Sequence, residues 1–414
     1  MRAPQRVVVT GIGVVAPNGI GKDAFWASLL EGRSGVGPIT LFDATDTPCK
    51  AAGEVRDFKP TDFIDPAMKP RRMSRCTQLA VAAARLALED SGLEAAQLAR
   101  HFPMPLVMGV STSAPDMWEQ HHLQIEKRGA ANGPPYIIGA FMPHAAVNAI
   151  SACLGLQTQP LTMSSACAAG MDAVGAATEQ IQSGRADVAM AGGADAPISY
   201  TAFTSFAACG LISADVTDPR TASRPFDRRR VCGVISEGAA VVVLENMNHA
   251  RARGARPYLE IKGYAMNADP DPGLPGSGLA GTMKMALANA GRHAARVDYV
   301  NAHGPGHPVL DRVETNMIKA ALGQRASRIP VSSIKGHIGN PLAAGGVLQL
   351  AACALIIRHR RIPPTANLEE PDPACDLDYV AGRPRAAVLD CVVINSHGLG
   401  GRNGSMVVER IAPE

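Results

Sequence analysis

Short β-branched runs recur along the chain: Val7–Thr10, Pro105–Val110, Val188–Ala191, Ala239–Leu244, Tyr258–Lys262, Tyr299–Ala302, Cys391–Asn395 and Ser405–Val408. Ala-rich stretches with apolar residues at three-four spacing lie between them. Gln78–Ser91 predicts one helix with Gly92 just past its end, and Gly170–Ser183 another, closed by Gly184. Strands that alternate with helices predict an α/β fold with a mainly parallel sheet. The pattern also repeats weakly. Pro160-LTMSSACAAG leads from a strand into an Ala-rich helix, and Pro330-VSSIKGHIGN leads from a strand into LAAGGVLQLAACALII. Two strand–SS–turn–helix units predict an internal duplication, with halves at 1–250 and 251–414 and the boundary in the Arg-rich stretch after Glu245.

Composition narrows the class. At 414 residues and 46% hydrophobic, the chain exceeds the size of one growing core. A net charge of +3 gives no reason to invoke nucleic acid, and 4% aromatics with 41 glycines suit close helix-on-sheet packing. No secretory signal and no apolar run of about 20 residues is expected, so no membrane span. Nine cysteines without CxxC or a Cys/His cluster read as reduced, cytoplasmic thiols and offer no metal site.

Cys167 in Ser164-SACAAG falls on a turn between strand and helix, where backbone N–H groups and the helix dipole favour thiolate. Its small neighbours leave room for a carbonyl to approach the backbone. His303 ends a strand, where open α/β sheets place their sites. The second SS turn carries Lys335, His337 and Asn340, and Asp311 and Glu314 lie where they can neutralise Lys335. Asn395-SHGLGGRNG is a Gly-rich turn able to present an N–H to an oxyanion. Gly11-IGVVA formally fits a dinucleotide fingerprint, but Pro17-NG follows and no helix opens there.

Read together, VVVTGIGVVAPNG, RRMSR…ALEDSGL, SSACAAG, ADVAMAGGAD, RPFD…SEGAAVVVLE, YVNAHG…D…ET, SSIK…G and NS.G.GG.NG occur in order nearly end to end. The chain thereby resembles the elongating 3-oxoacyl-[acyl-carrier-protein] synthases of fatty-acid and type II polyketide synthesis. The resemblance implies a thiolase-like five-layer α-β-α-β-α fold and a homodimer, or a heterodimer with a chain-length-factor-like subunit. It implies decarboxylative condensation of an acyl-Cys167 with malonyl-acyl carrier protein, and no cofactor beyond the phosphopantetheine that carries the substrates. Carried over by motif, His303 is the first active-site histidine, with Lys335 and Glu314 organising it. The N–H groups of Cys167 and Leu399 match the oxyanion hole. Lys69, Arg71 and Arg72 match a basic patch that docks the carrier protein.

The match breaks around the site. Counting from Lys335, the second histidine of the family falls on Asn340, with His337 close by as a rival imidazole. Two pantetheine-binding threonines become Pro305 and His307. Two phenylalanines of the gating turn become His397 and Leu399, a threonine becomes Arg402, and RDGF becomes Arg230-VCG. Initiating synthases and plant-type polyketide synthases resemble the set Cys167, His303 and Asn340. The resemblance therefore implies Cys167, His303 and Asn340 as the working set, with Asn340 donating to the malonyl thioester oxygen, ahead of a role as helix cap before Pro341. A non-catalytic partner is disfavoured by the presence of Cys167 and His303. An acyltransferase, hydrolase or malonyl decarboxylase on the same scaffold stays open.

Overall fold

The computed structural model describes residues 4–101, 104–212, 217–271 and 273–412. Ten strands carry the architecture: β1 (Val7–Ala16), β2 (Met104–Gly109), β3 (Thr158–Met163), β4 (Val188–Asp195), β5 (Gly238–Asn246), β6 (Leu259–Ala268), β7 (Tyr299–Asn301), β8 (Pro330–Ser332), β9 (Cys391–Gly398) and β10 (Arg402–Glu409). With Gly19–Ile20 and Asp378–Tyr379 they form one 12-stranded sheet. The first half runs β1-β5-β4-β2-β3 in space and the second β6-β10-β9-β7-β8. Each half therefore lays its first, fifth, fourth, second and third strands side by side. The two halves meet where β1 pairs antiparallel with β6. This repeated order is the duplication that the SS turns foreshadow.

The sheet is mixed, which corrects the expectation of a mainly parallel one. The wings β4-β2-β3 and β9-β7-β8 are parallel. The middle strands β1, β5, β6 and β10 pair antiparallel. The fifth strand of each half arises by reversal next to the fourth, as in the β9–β10 hairpin, so no crossover helix is needed there.

Five helices complete the layers: α1 (Arg75–Ser91), α2 (Ala169–Gln182), α3 (Leu279–Asn289), α4 (Pro308–Leu322) and α5 (Gly345–His359). α1 covers one outer face of the sheet, and α3 with α4 covers the other. The echo helices α2 and α5 pack on each other between the halves. Helix α5 is buried from Gly345 to Ile357, as a helix walled by sheet on both sides must be. Leu342–His359 is apolar and long enough to count as a membrane span, but 89% of it is buried inside this centre.

Gly11 and Gly13 lie inside β1, not on a turn, which disposes of the dinucleotide fingerprint. A Cβ on Gly13 would sit 1.9 Å from the Ala83 carbonyl oxygen, and one on Gly11 2.3 Å from that of Ala87. These glycines let α1 seat directly on the strand. Helix α1 begins three residues earlier than its periodicity suggests, because Ser74 Oγ caps it by accepting from Thr77 N–H at 3.2 Å.

Strand β3 pairs only with β2, so its other edge is open. Gln159, Pro160 and Leu161 are exposed on this strand, and Ile138 stands 61% exposed on the earlier short helix Ile137–Phe141. An open edge with apolar side chains is a pairing surface. The chain is expected to associate through this edge, and Leu161→Lys to shift the mass measured by light scattering from two chains to one. A wild-type chain that stays monomeric alone and with any partner subunit would contradict it.

Candidate active site

Cys167 ends the turn that links β3 to α2, with Ala168 as the residue before the helix. Ala166 takes φ 53°, a left-handed conformation that costs a non-glycine residue about 1–2 kcal/mol. The strain turns Cys167 toward the second half of the chain. Ser165 Oγ donates to buried Asp172 at 2.6 Å. Tyr264 OH also donates to Asp172, and Arg402 closes an ion pair with it at 2.9 Å. One carboxylate thus ties the nucleophile turn to β6 and to the return strand β10.

Strand β7 delivers His303 and β8 delivers the turn with Lys335 and Asn340. Gln349 on α5 reaches the carbonyls of Asn301, Ala302 and Asn395, fixing the ends of β7 and β9 against each other. Glu314 on α4 accepts from the N–H groups of His303 and Gly304 at 2.9 and 2.8 Å and from Asn395 at 3.2 Å. Lys335 is buried and donates to the His303 carbonyl at 2.7 Å. Among the described residues no direct ion pair joins Lys335 to Asp311 or Glu314, and both carboxylates act on its charge from a distance. Asp311 instead pairs with Arg230 at 3.4 Å. Glu314 acts on Lys335 only through space, and burial pulls the ammonium down to about 8.

The tautomer of His303 follows from its neighbours. Its Nδ1 lies 3.2 Å from the His397 N–H and 3.3 Å from Lys335 Nζ. A backbone N–H can only donate, so Nδ1 is the acceptor and the neutral ring carries its proton on Nε2. Burial, Lys335 and His397 hold His303 well below the usual imidazole range.

Cys167, His303, His307, Asn340, His397 and Leu399 line one cavity of about 410 Å³. Asn340 Nδ2 points at Cys167 Sγ from 3.9 Å, and the Leu399 N–H faces the sulfur. Burial nevertheless pushes the thiol up, against the pull of Lys335 and these N–H groups. The thiolate expected from the helix N-terminus is therefore outweighed by burial. Asn340 makes no capping bond; its Oδ1 is buried without a partner.

His337 does not line the cavity. It is fully buried, its ring nitrogens form no well-aligned hydrogen bond, and its ring lies by the Ile334 and Leu29 carbonyls. This removes it as the rival imidazole and as a pocket residue. His307 caps α4 through Nδ1, which accepts from Val309 N–H at 3.1 Å. The Leu399 side chain is 61% exposed and does not plug the cavity. Lys69, Arg71 and Arg72 are exposed on two short turns of 3-10 helix, with Arg72 over the Tyr136 ring at 5.5 Å. The links Asp172–Arg402 and Asp269–Asn403 escaped the sequence reading, because each joins residues more than 100 positions apart in the chain.

Residues 4–250 match the beta-ketoacyl synthase N-terminal domain and residues 258–369 the C-terminal domain. The chain belongs to the beta-ketoacyl synthase family. This synthase is 42% identical to the tetracenomycin polyketide synthase ketoacyl synthase alpha subunit of Streptomyces glaucescens, over 99% of this chain and 98% of that one. It is 37% identical to 3-oxoacyl-[acyl-carrier-protein] synthase 2 of a Synechocystis strain, over 98% of both. The solved ishigamide ketosynthase/chain length factor superposes with a TM-score of 0.91 at 34% identity, over 99% of this chain and 100% of that one. A type II polyketide acyl-carrier protein in complex with its ketosynthase gives 0.89 at 31%, again over 99% and 100%. The thiolase-like layered fold is that of these neighbours, and the synthase is an enzyme of the acyltransferase class that makes 3-oxoacyl thioesters.

The depressed imidazole sets a pH expectation. A lowered pKa keeps His303 neutral as pH falls, and the neutral form is lost only below the ordinary imidazole range. Malonyl decarboxylation by a Cys167→Ala variant, which removes the thiol, should hold level through pH 6.5 and decline below it. A midpoint at or above that value would contradict the assigned state.

Proposed function

We propose that this synthase joins an acyl group held as a thioester on Cys167 to a malonyl unit delivered by acyl carrier protein, in specialised fatty-acid or type II polyketide synthesis, with no resident cofactor. The carrying observation is the convergence of three donors, Leu399 N–H, Asn340 Nδ2 and His303 Nε2–H, in the cavity that holds Cys167. In this reading the Leu399 N–H stabilises the oxygen of the acyl thioester. Asn340 and His303 donate to the malonyl thioester oxygen. The bond between the malonyl methylene carbon and its carboxylate breaks, carbon dioxide leaves, and the electron pair forms an enolate held by those two donors. The enolate carbon attacks the acyl carbonyl, and the Cys167–acyl bond breaks. Lys335 and Glu314 keep His303 in place. Among the described residues no second thiol lines the cavity, which disfavours thiolysis.

The open β3 edge suits a partner chain, and the ketosynthase/chain length factor neighbour supports a heterodimer as readily as a homodimer. The nine free cysteines fit a cytoplasmic setting. We take 1–250 and 251–414 as the two halves, each contributing one wall of the site.

After incubation with an acyl donor, peptide mapping should find the acyl group on Cys167 alone. Asn340→Ala should slow both malonyl decarboxylation and condensation by about 10²-fold, the usual loss for one such donor, and Asn340→His should restore part of it. Labelling at Cys153 or Cys209, or an Asn340→Ala variant as fast as the parent, would remove the assignment.

Changing Lys69, Arg71 and Arg72 together to Glu should raise KM for a carrier-protein substrate and flatten its salt dependence. The same variant should treat a small N-acetylcysteamine thioester as the parent does. Equal losses on both substrates would mean that the patch is not a docking surface.

A further inference from the structure

The cavity is rich in donors and poor in proton acceptors. Sulfur receives the Asn340 amide N–H and faces the Leu399 N–H. His303 presents only Nε2–H, because its Nδ1 is taken. His307 uses Nδ1 to cap α4, so its neutral ring likewise offers only N–H. Asn340 Oδ1 is an amide oxygen and takes no proton at neutral pH. The Asp269 oxygens already accept from the N–H groups of Gly276 and Gly278 and from Asn403 Nδ2, at 2.7–2.8 Å.

His397 differs. Asn403 Nδ2 donates to Asp269 Oδ1 at 2.7 Å and to Asn267 Oδ1 at 3.1 Å, which fixes its other amide atom as oxygen. That oxygen lies 3.0 Å from His397 Nδ1, so Nδ1 carries the proton and Nε2 the lone pair. Among the described residues no hydrogen-bond partner meets Nε2, and the ring lines the cavity. It opens into the space that Cys167 faces. The residues around it approach the nucleophile: Ser396 Oγ donates to the Cys167 carbonyl at 3.3 Å, and the Leu399 N–H faces the sulfur. The ring centroid lies 6.0 Å from that of His303.

We propose that His397 Nε2 is the proton acceptor for the Cys167 thiol, directly or through one water, during loading of the acyl group. The inference rests on the reading that Cys167 carries that group. The S–H bond breaks and its proton passes to Nε2, giving an imidazolium that keeps its Nδ1–H on Asn403. The thiolate adds to the donor thioester carbonyl. The bond to the donor's sulfur then breaks, and His397 returns the proton to the departing thiolate. The charges and titrating groups around His397 are His303 with Lys335 behind it, Asp269 through Asn403, and Cys167 and His307 across the cavity.

The test is alkylation of Cys167 by iodoacetamide, read by intact mass and peptide mapping across the imidazole and thiol pH ranges. The parent should react readily at neutral pH, with a profile that lies below the thiol range. His397→Phe and His397→Asn should both react about 10²-fold more slowly at neutral pH, with profiles moved up into the thiol range. Acyl loading from an N-acetylcysteamine thioester should show the same ratio. A parent profile already in the thiol range, or variants slowed by one constant factor at every pH, would overturn the proposal, the latter marking a structural role. Alkylation needs neither malonyl donor nor carrier protein. Failure of the condensation reading would therefore show as missing 3-oxoacyl product with this profile intact.

Discussion

Two turns from opposite halves must come within bonding reach for the cavity to exist, and the absence of two side chains allows it. A Cβ on Gly170 would lie 2.2 Å from the Ala343 carbonyl oxygen, and one on Gly193 2.3 Å from the same atom. These contacts seat the start of α2 and the end of β4 against the loop that carries Asn340. Buried Asp195, at the end of β4, accepts from the Ala343 N–H at 2.9 Å and from the N–H groups of Ser111 and Thr112. Close packing brings the halves together, and a charged acceptor keeps their backbones in register.

Bringing so many polar groups out of water has a cost that shapes the chemistry. Burial disfavours the charged forms of Cys167, His303 and Lys335, so Cys167 is held as thiol, His303 as neutral imidazole and Lys335 near its titration point. The site then works through oriented hydrogen bonds more than through net charge. Such bonds gain strength in a dry cavity and need no reorganisation when charge develops on a thioester oxygen. Glu314 shows the same economy. It spends its carboxylate on the backbone of His303 and Gly304, which sets the ring's position without pairing it to a cation.

What the sequence revealed, it revealed through local pattern. The strand–SS–turn–helix repeat locates Cys167 and Lys335 because the chemistry of each turn is written in consecutive residues. Strand periodicity locates His303 for the same reason. The antiparallel centre of the sheet was missed, because pairing direction depends on which distant strand lies alongside. The direct partner of Asp311 was missed on a similar point: it meets Arg230, a residue 81 positions earlier. His337 and Asn340 looked interchangeable by spacing. The helical turn Lys335–Ile338 separates them, sending one ring into the core and one amide to the thiol.

The matching strand order carries a historical implication. In the sequence echo, Ser164-Ser165-Ala166-Cys167 aligns with Ser332-Ser333-Ile334-Lys335. The halves meet across the antiparallel β1–β6 pair, the arrangement a two-fold axis produces. Two separate copies of one such half, related by that axis, would have set identical residues at these two positions. Joined in a single gene, the copies were free to diverge, one turn keeping a thiol and the other an ammonium. An asymmetric reaction centre of this kind is not open to a symmetric pair of identical chains.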